Sequence, residues 1–237
     1  MDLLDANGDP LRSRVPLRQF VVASTSVVAQ GRIRQYSITA GAWFRVDQEY
    51  SELVDRYMAD NVDDITDVLD MPEWDEEALK VSTEGSYGEQ RYNRWTSEQR
   101  KYILLDRAFY RKPPGVQVEV CDLLTREKQL ICVKRMDGSD KMSHLFQQGS
   151  VSAQLLMTEE EYRANVVSSL RSLDPGATFG RAEDWTIVYA IATGRQGMLR
   201  DSMYFFAKAA LRTHAQAIKQ SGIRVAIAKI QRSDASS

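Results

Sequence analysis

Residues 115–135 carry an acid and a base at a spacing that could bring them together. This stretch contains two β-rich runs, VQVEVCDLL and LICVKR, separated by TREKQ, which is typical of two strands joined by a short loop. The expected antiparallel register sets Glu119 opposite Lys134, and it sets Cys121 opposite Cys132. Directly opposite residues lie on one face of a sheet. The sequence therefore predicts a hairpin that holds a carboxylate beside an amine.

A carboxylate beside a lysine fits metal-assisted cleavage of a phosphodiester. The carboxylate of Glu119 would bind Mg²⁺ through oxygen, and the metal would polarise the phosphate and acidify a water molecule. Lys134 would position that water or stabilise the developing negative charge. The alternative is a plain ion pair between strands, worth less than about 1 kcal/mol. The spacing alone leaves both interpretations open.

Three further acids are candidates to complete a metal site. Asp106 lies in LLDR and Glu89 in GEQRYN, and each also fits an ordinary surface acid. Asp122 lies within the hairpin, but the expected register puts it on the face opposite to Glu119. A β-bulge would change that placement.

A second group of polar side chains follows the hairpin. Ser143, His144 and Gln147 lie where a helix is expected to begin, and helix N-termini bind phosphate through free N–H groups. Lys141 and Arg135 add positive charge nearby. The group predicts a nucleic-acid contact with His144 as a candidate general base, although a capped helix with a polar surface explains the same residues.

The two cysteines are better explained by packing than by chemistry. A zinc site needs about four Cys or His ligands with close pairs. The chain has two cysteines and two histidines, and His144 and His214 are far apart in sequence. We expect Cys121 and Cys132 to be small buried residues.

Composition is that of an ordinary globular protein. The chain has 237 residues, of which 43% are hydrophobic and 27% are charged, with a formal net charge of −2. A uniformly basic nucleic-acid coat is excluded, but a local basic patch is not. No apolar run approaches the roughly 18 residues of a membrane span, and MDLLDANGDP lacks the features of a signal peptide. A cytoplasmic location without membrane association is expected.

The order of elements predicts an α/β (α+β) fold. From residue 116 onward it runs β-β-α-α-β-α-β, with WTIVYAIA as a strand buried on both faces and IRVAIAKI as the last strand. The final β-α-β unit requires a crossover helix, which implies parallel strands. We therefore expect a mixed central sheet in which a hairpin is followed by helix–strand crossovers.

Two regions are expected within one compact unit. Residues 1–95 form an N-terminal β/α extension with an acidic segment at residues 60–80, and residues 96–237 form the core. The acidic segment is typical of a solvated surface. It could also dock a basic protein partner.

The hairpin and the element order together resemble the PD-(D/E)xK nuclease superfamily. In that pattern one acid precedes a second acid, which lies two residues before a lysine. Glu119 matches the first acid and Lys134 the lysine, while Cys132 stands where the second acid is expected. The resemblance implies a restriction-endonuclease-like core and Mg²⁺-dependent cleavage of nucleic acid.

Longer strings are similar to an uncharacterised, sporadically distributed bacterial family associated with mobile and defence loci. They include AWFRVDQEY, EQRYN, EVCDLLT, GSDKMSHLFQQGSVSAQLL and SMYFFAKAALR. Members of that family are longer, so the resemblance implies that this chain is a C-terminal portion.

The resulting expectation is a nucleic-acid-processing protein, a Mg²⁺-dependent nuclease in defence against foreign DNA. The alternative is an inactive module that binds nucleic acid or protein within a defence complex.

Overall fold

The structure of the chain is a computed structural model. It describes residues 3–4, 10–12, 23–29, 32–39, 42–82, 88–105, 109–112, 116–136 and 139–233. The strands are β1 (Leu3–Leu4), β2 (Pro10–Arg12), β3 (Ala23–Ala29), β4 (Arg32–Thr39), β5 (Ala42–Arg45), β6 (Asp63–Asp64), β7 (Ile103–Leu104), β8 (Phe109–Lys112), β9 (Val116–Glu119), β10 (Leu123–Leu124), β11 (Gln129–Arg135), β12 (Thr186–Thr193) and β13 (Arg224–Gln231). The helices are α1 (Gln48–Asn61), α2 (Glu76–Ser82), α3 (Gly88–Arg100), α4 (Ser139–Thr158), α5 (Glu160–Leu170), α6 (Leu199–Ser202) and α7 (Phe205–Gln220).

A six-stranded mixed sheet forms the centre of the chain, in the order β6-β13-β12-β11-β10-β7. The pairs β11–β12, β12–β13 and β13–β6 are parallel, whereas β10 is antiparallel to both β11 and β7. All eight residues of β12 are buried, because strands lie on both sides of it and helices cover both faces. The predicted mixed α/β fold with helix–strand crossovers is confirmed.

Helices cover the sheet on both faces and make three layers. On one face, buried side chains of α1, α4, α5 and α7 pack on residues such as Cys132, Tyr189 and Ile227. On the other face, Tyr92 of α3 and Trp74 pack against β11, β12 and β13. Helices α4, α5 and α7 lie in the two crossovers that connect β11 to β12 and β12 to β13.

Local sequence explains where several helices begin and end. The Asp47 carboxylate accepts from the Tyr50 N–H at 3.0 Å and caps α1, as its side-chain type predicts. Gly222 follows α7 at φ 80°, a left-handed conformation that suits glycine. The Thr158 hydroxyl donates to the Gln154 carbonyl within α4. Helix α5 begins without a side-chain cap.

The predicted hairpin is much shorter than expected, and its register is wrong. Strand β10 pairs with β11 through Leu123 opposite Ile131. Strand β9 pairs instead with β8, and the backbone partner of Glu119 is Phe109. The expected cross-strand pair of Glu119 and Lys134 therefore does not form. The sequence pattern predicts two continuous strands, but the first run is interrupted between β9 and β10.

The acidic segment at residues 60–80 contributes to the core. Strand β6 lies within it and pairs with β13, while Leu69, Trp74 and Leu79 are buried on the α3 face of the sheet. A separate antiparallel sheet, β3-β4-β5, precedes α1. The division of the chain near residue 95 stays a prediction. Among the described residues, the helices are too short or too polar to cross a bilayer.

Gly149 of α4 gives a test of this packing. Alanine at a helix position is usually more stable than glycine by about 1 kcal/mol. Here an added Cβ would overlap the Tyr189 side chain, lying 2.7 Å from its Cε1. We expect Gly149→Ala to lower the free energy of unfolding by about 1–3 kcal/mol in urea denaturation. Gln147→Ala, at an exposed position of the same helix, is the control and should change it by less than about 0.5 kcal/mol. A more stable Gly149→Ala variant would contradict the packing.

Candidate functional site

Strand β10 is shorter than β11, and past its end the backbone N–H groups on this edge of β11 donate to side chains. Strand β10 reaches only the first residues of β11, and the Asp122 N–H donates to the Ile131 carbonyl at 2.9 Å. Alternate residues of a strand direct their N–H groups to the same edge. The Met136 N–H donates to Ala192 at the end of β12, so the N–H groups of Val133 and Arg135 face the opposite edge.

Two carboxylates occupy this edge. The Val133 N–H donates to Asp122 Oδ2 at 2.6 Å, and the Arg135 N–H donates to Glu89 Oε1 at 3.5 Å. Residues two apart on a strand are separated by roughly 7 Å. The two acids are therefore neighbours along one strand edge, although they lie far apart in sequence.

Basic side chains complete the group. Lys134 Nζ donates to Glu89 Oε2 at 2.7 Å, and about 30% of each side chain is exposed (29% and 31%). Arg135 donates to Glu76 Oε1 at 3.2 Å, and the same oxygen accepts from the Trp74 indole at 2.9 Å. We call Glu89, Asp122 and Lys134 the strand-edge cluster.

Helix α3 positions Glu89 because it runs antiparallel to β11. Its first turn contacts Arg135, at the carboxyl end of β11. Its far end leads through Tyr102 into β7, which pairs with β10, and β10 pairs with the beginning of β11. Gly88 precedes Glu89 at φ 54°, and an acid in the first turn is favoured by the helix dipole.

The structure thus brings together four residues named from the sequence: Glu89, Asp122, Lys134 and Arg135. The predicted register places Asp122 on the face opposite to Glu119, but its carboxylate lies at the strand edge because the chain bends between β9 and β10. Asp106 and the side chain of Glu119 lie outside the described residues. No group of three or more His, Cys, Asp or Glu side chains suited to a metal occurs among the described residues.

The polar group after the hairpin lies on helix α4. Helix α4 extends from Ser139, so Lys141, Ser143, His144 and Gln147 lie within it rather than at a helix start near residue 143, and all four are exposed. Their contact with nucleic acid stays a prediction.

Cys121 and Cys132 are not joined in a disulfide, and both are fully buried. Their expected role in packing is confirmed, and Cys132 lies in the core shared with α4 and α7.

Two cavities in the described part of the chain lie away from the strand-edge cluster. One, of about 990 Å³, lies between β4, β5, α1 and α6. The other, of about 630 Å³, lies at the amino ends of β11, β12 and β13 and is lined by charged side chains that include Arg126, Lys128 and Arg224. Within the cluster at the strand edge, Asp122 is buried, whereas Glu89 and Lys134 are partly exposed.

A family model described as a family of unknown function, DUF6119, matches residues 1–231. The chain belongs to the DUF6119 family. This confirms the expectation of an uncharacterised family. No curated protein and no solved structure matches the DUF6119 chain.

A histidine–serine contact in the DUF6119 chain was not anticipated. His214 Nδ1 of α7 lies 2.8 Å from Ser150 Oγ of α4, and that hydroxyl also donates to the Phe146 carbonyl at 3.1 Å. Which of the two groups donates depends on the histidine tautomer. The pair joins α4 and α7. The two residues are 64 apart in sequence, so spacing gave no signal for the contact.

Asp122 provides a test of the bond at the strand edge. Asp122→Ala leaves the buried Val133 N–H without its acceptor and should lower the free energy of unfolding by about 1–3 kcal/mol. Asp122→Asn keeps an oxygen that can accept this bond, so its loss should be smaller. Urea denaturation of both variants checks the difference. Equal losses would show that the bond contributes little.

His214 predicts a pH effect on stability. Burial lowers the pKa of His214 from its usual value. Because the unfolded chain then binds a proton more readily than the folded chain, His214 favours folding above about pH 6.5 and opposes it as the pH falls below that value. We expect the drop in stability between pH 7 and pH 5.5 to be smaller in His214→Gln than in the unaltered chain, measured by urea denaturation.

His144→Gln is the matched control, since His144 is exposed on α4. It should leave the pH dependence unchanged. The same change in both variants would exclude His214 as the group responsible.

Proposed function

We propose that the DUF6119 chain is a nucleic-acid-processing protein whose strand-edge cluster binds Mg²⁺ and assists cleavage of a phosphodiester. The observation that carries the proposal is the placement of the Asp122 and Glu89 carboxylates beside the Lys134 amine on one edge of β11. The resemblance of the chain to the PD-(D/E)xK superfamily, and of its longer strings to a family of defence loci, supports a role against foreign DNA.

The two carboxylates of Asp122 and Glu89 fit a Mg²⁺ site to which the protein contributes only a few of the ligands. Mg²⁺ in proteins usually keeps several waters and is bound by one or two carboxylates together with substrate phosphate. The bond from Val133 N–H fixes the orientation of the Asp122 carboxylate. Glu89 pairs with Lys134 and is partly exposed, so its carboxylate can leave Lys134 and bind the metal. When bound, the metal would polarise the phosphate and acidify a water molecule.

The roles of the acids differ from those inferred from the sequence. In the proposed site, Asp122 takes the place assigned to Glu119, because Asp122 lies beside β11 whereas the strand of Glu119 pairs with β8. Cys132, two residues before Lys134, is fully buried. Glu89 from α3 supplies the second carboxylate in its stead.

Lys134 would act on the phosphate. Its side chain pairs with Glu89 and is partly exposed, so the ammonium group could stabilise the negative charge that develops on the phosphoryl oxygens. Arg135 adds a second positive charge one residue away and can contact the nucleic-acid backbone, as can Lys141 on α4.

Cleavage assays test the proposal. Plasmid DNA and single-stranded RNA are incubated with the chain and Mg²⁺ or Mn²⁺, and cleavage is measured on gels. Asp122→Asn and Lys134→Met should each reduce the rate by about 100-fold or more, because each removes a charge that acts in the transition state.

Matched controls are Asp60→Asn on α1 and Lys219→Met on α7, both at exposed positions far along the chain from the cluster. They should cleave as the unaltered chain does. Cleavage that survives both cluster substitutions would exclude this site.

A second candidate is a module that binds without cleaving. Cys132 at the position of an expected acid and the closed Lys134–Glu89 pair favour it. Gel-shift assays at two salt concentrations separate the outcomes, because phosphate contacts weaken steeply with salt. Binding without cleavage in Mg²⁺ and Mn²⁺ would select this candidate. Failure to shift DNA or RNA at low salt would instead favour a protein partner at residues 60–80.

A further inference from the structure

Asn93 of α3 is a buried polar side chain that the rest of the described chain does not satisfy. The residue is 1% exposed, and neither its amide nitrogen nor its amide oxygen has a hydrogen-bond partner among the described residues. Buried side-chain polar atoms nearly always have a partner in proteins. The adjacent Tyr92 shows the ordinary situation, because its hydroxyl donates to the Pro72 carbonyl at 2.6 Å.

The position of Asn93 relates it to the strand-edge cluster. Asn93 and Glu89 are four residues apart on α3, so they lie on the same face of the helix. Four helical residues advance about 6 Å, and two strand residues advance roughly 7 Å. Because α3 runs antiparallel to β11 and Glu89 meets Arg135, Asn93 is level with Val133. The Val133 N–H is the donor to Asp122.

We infer that the Asn93 side-chain oxygen is the third protein ligand of a divalent-cation site formed with Asp122 and Glu89. This inference rests on the proposed function and identifies a further residue of the same site. Amide oxygens and carboxylates are the ligand types that hard divalent cations take from proteins. A cation at this place would also provide a partner for the Asn93 amide oxygen, which otherwise has none among the described residues.

Mn²⁺ binding to the full chain tests the inference, measured by electron paramagnetic resonance titration. Asn93→Leu keeps the number and branching of the side-chain heavy atoms but has no polar atom, and it should weaken Mn²⁺ binding about tenfold or more. Its melting temperature without metal should equal or exceed that of the unaltered chain, because an unpartnered polar group is removed. If Asn93 only stabilised the fold, Asn93→Leu would instead lower the melting temperature.

Glu98→Gln is the control on α3, where Glu98 is exposed, and it should bind Mn²⁺ unchanged. Asn93→Asp keeps an oxygen and adds a charge, so it should bind Mn²⁺ more tightly than the unaltered chain. If Asn93→Leu does not fold, Asn93→Asp decides the matter: unchanged affinity there would overturn the inference.

The outcomes separate the two proposals. If the unaltered chain and Asn93→Leu bind Mn²⁺ equally, Asn93 is not a ligand, and a buried water satisfies its amide while the proposed function stands. If the unaltered chain binds no Mn²⁺, both the cation site and the inference fail.

Discussion

The pairing of backbone N–H groups along β11 is the constraint on which the site depends. A buried N–H group without an acceptor is costly, and β10 is only two residues long, so this edge of β11 must find acceptors elsewhere. Asp122 reaches it from the bend before β10, and Glu89 reaches it from α3. A short strand therefore brings two carboxylates to one place, where a longer strand would have supplied carbonyl oxygens.

Two ion pairs hold helices α3 and α2 against the partly exposed end of β11. Lys134 pairs with Glu89, and Arg135 pairs with Glu76, so consecutive residues of β11 join α3 and α2 to the end of the sheet. The indole of Trp74 holds Glu76 from the core side. The same contacts that attach α2 and α3 to the sheet hold the chemically active groups together.

Sequence patterns predicted the elements that depend on local periodicity. The uninterrupted apolar run of β12, the crossover helices and the glycine after α7 all follow from short-range rules. The pairing register of the hairpin did not follow from these rules. The two β-rich runs look continuous in the sequence, whereas the chain bends at Asp122, whose carboxylate accepts from the Val133 N–H on the neighbouring strand. Glu89 was recognised as a candidate acid, but its pairing with Lys134 joins residues 45 apart and depends on tertiary packing. Asn93 gave no signal, since burial of a lone amide is visible only in three dimensions.

Strand β6 has a consequence for how the chain reaches its native state. It lies in the first third of the sequence, yet it pairs with β13 near the other end, and the Lys229 N–H donates to the Thr66 hydroxyl across a separation of 163 residues. Closing so long a loop must precede the gain from pairing, and topologies with high contact order fold slowly. We expect assembly of this sheet edge to be a late event, during which the exposed edge of β13 is open to pairing with other chains.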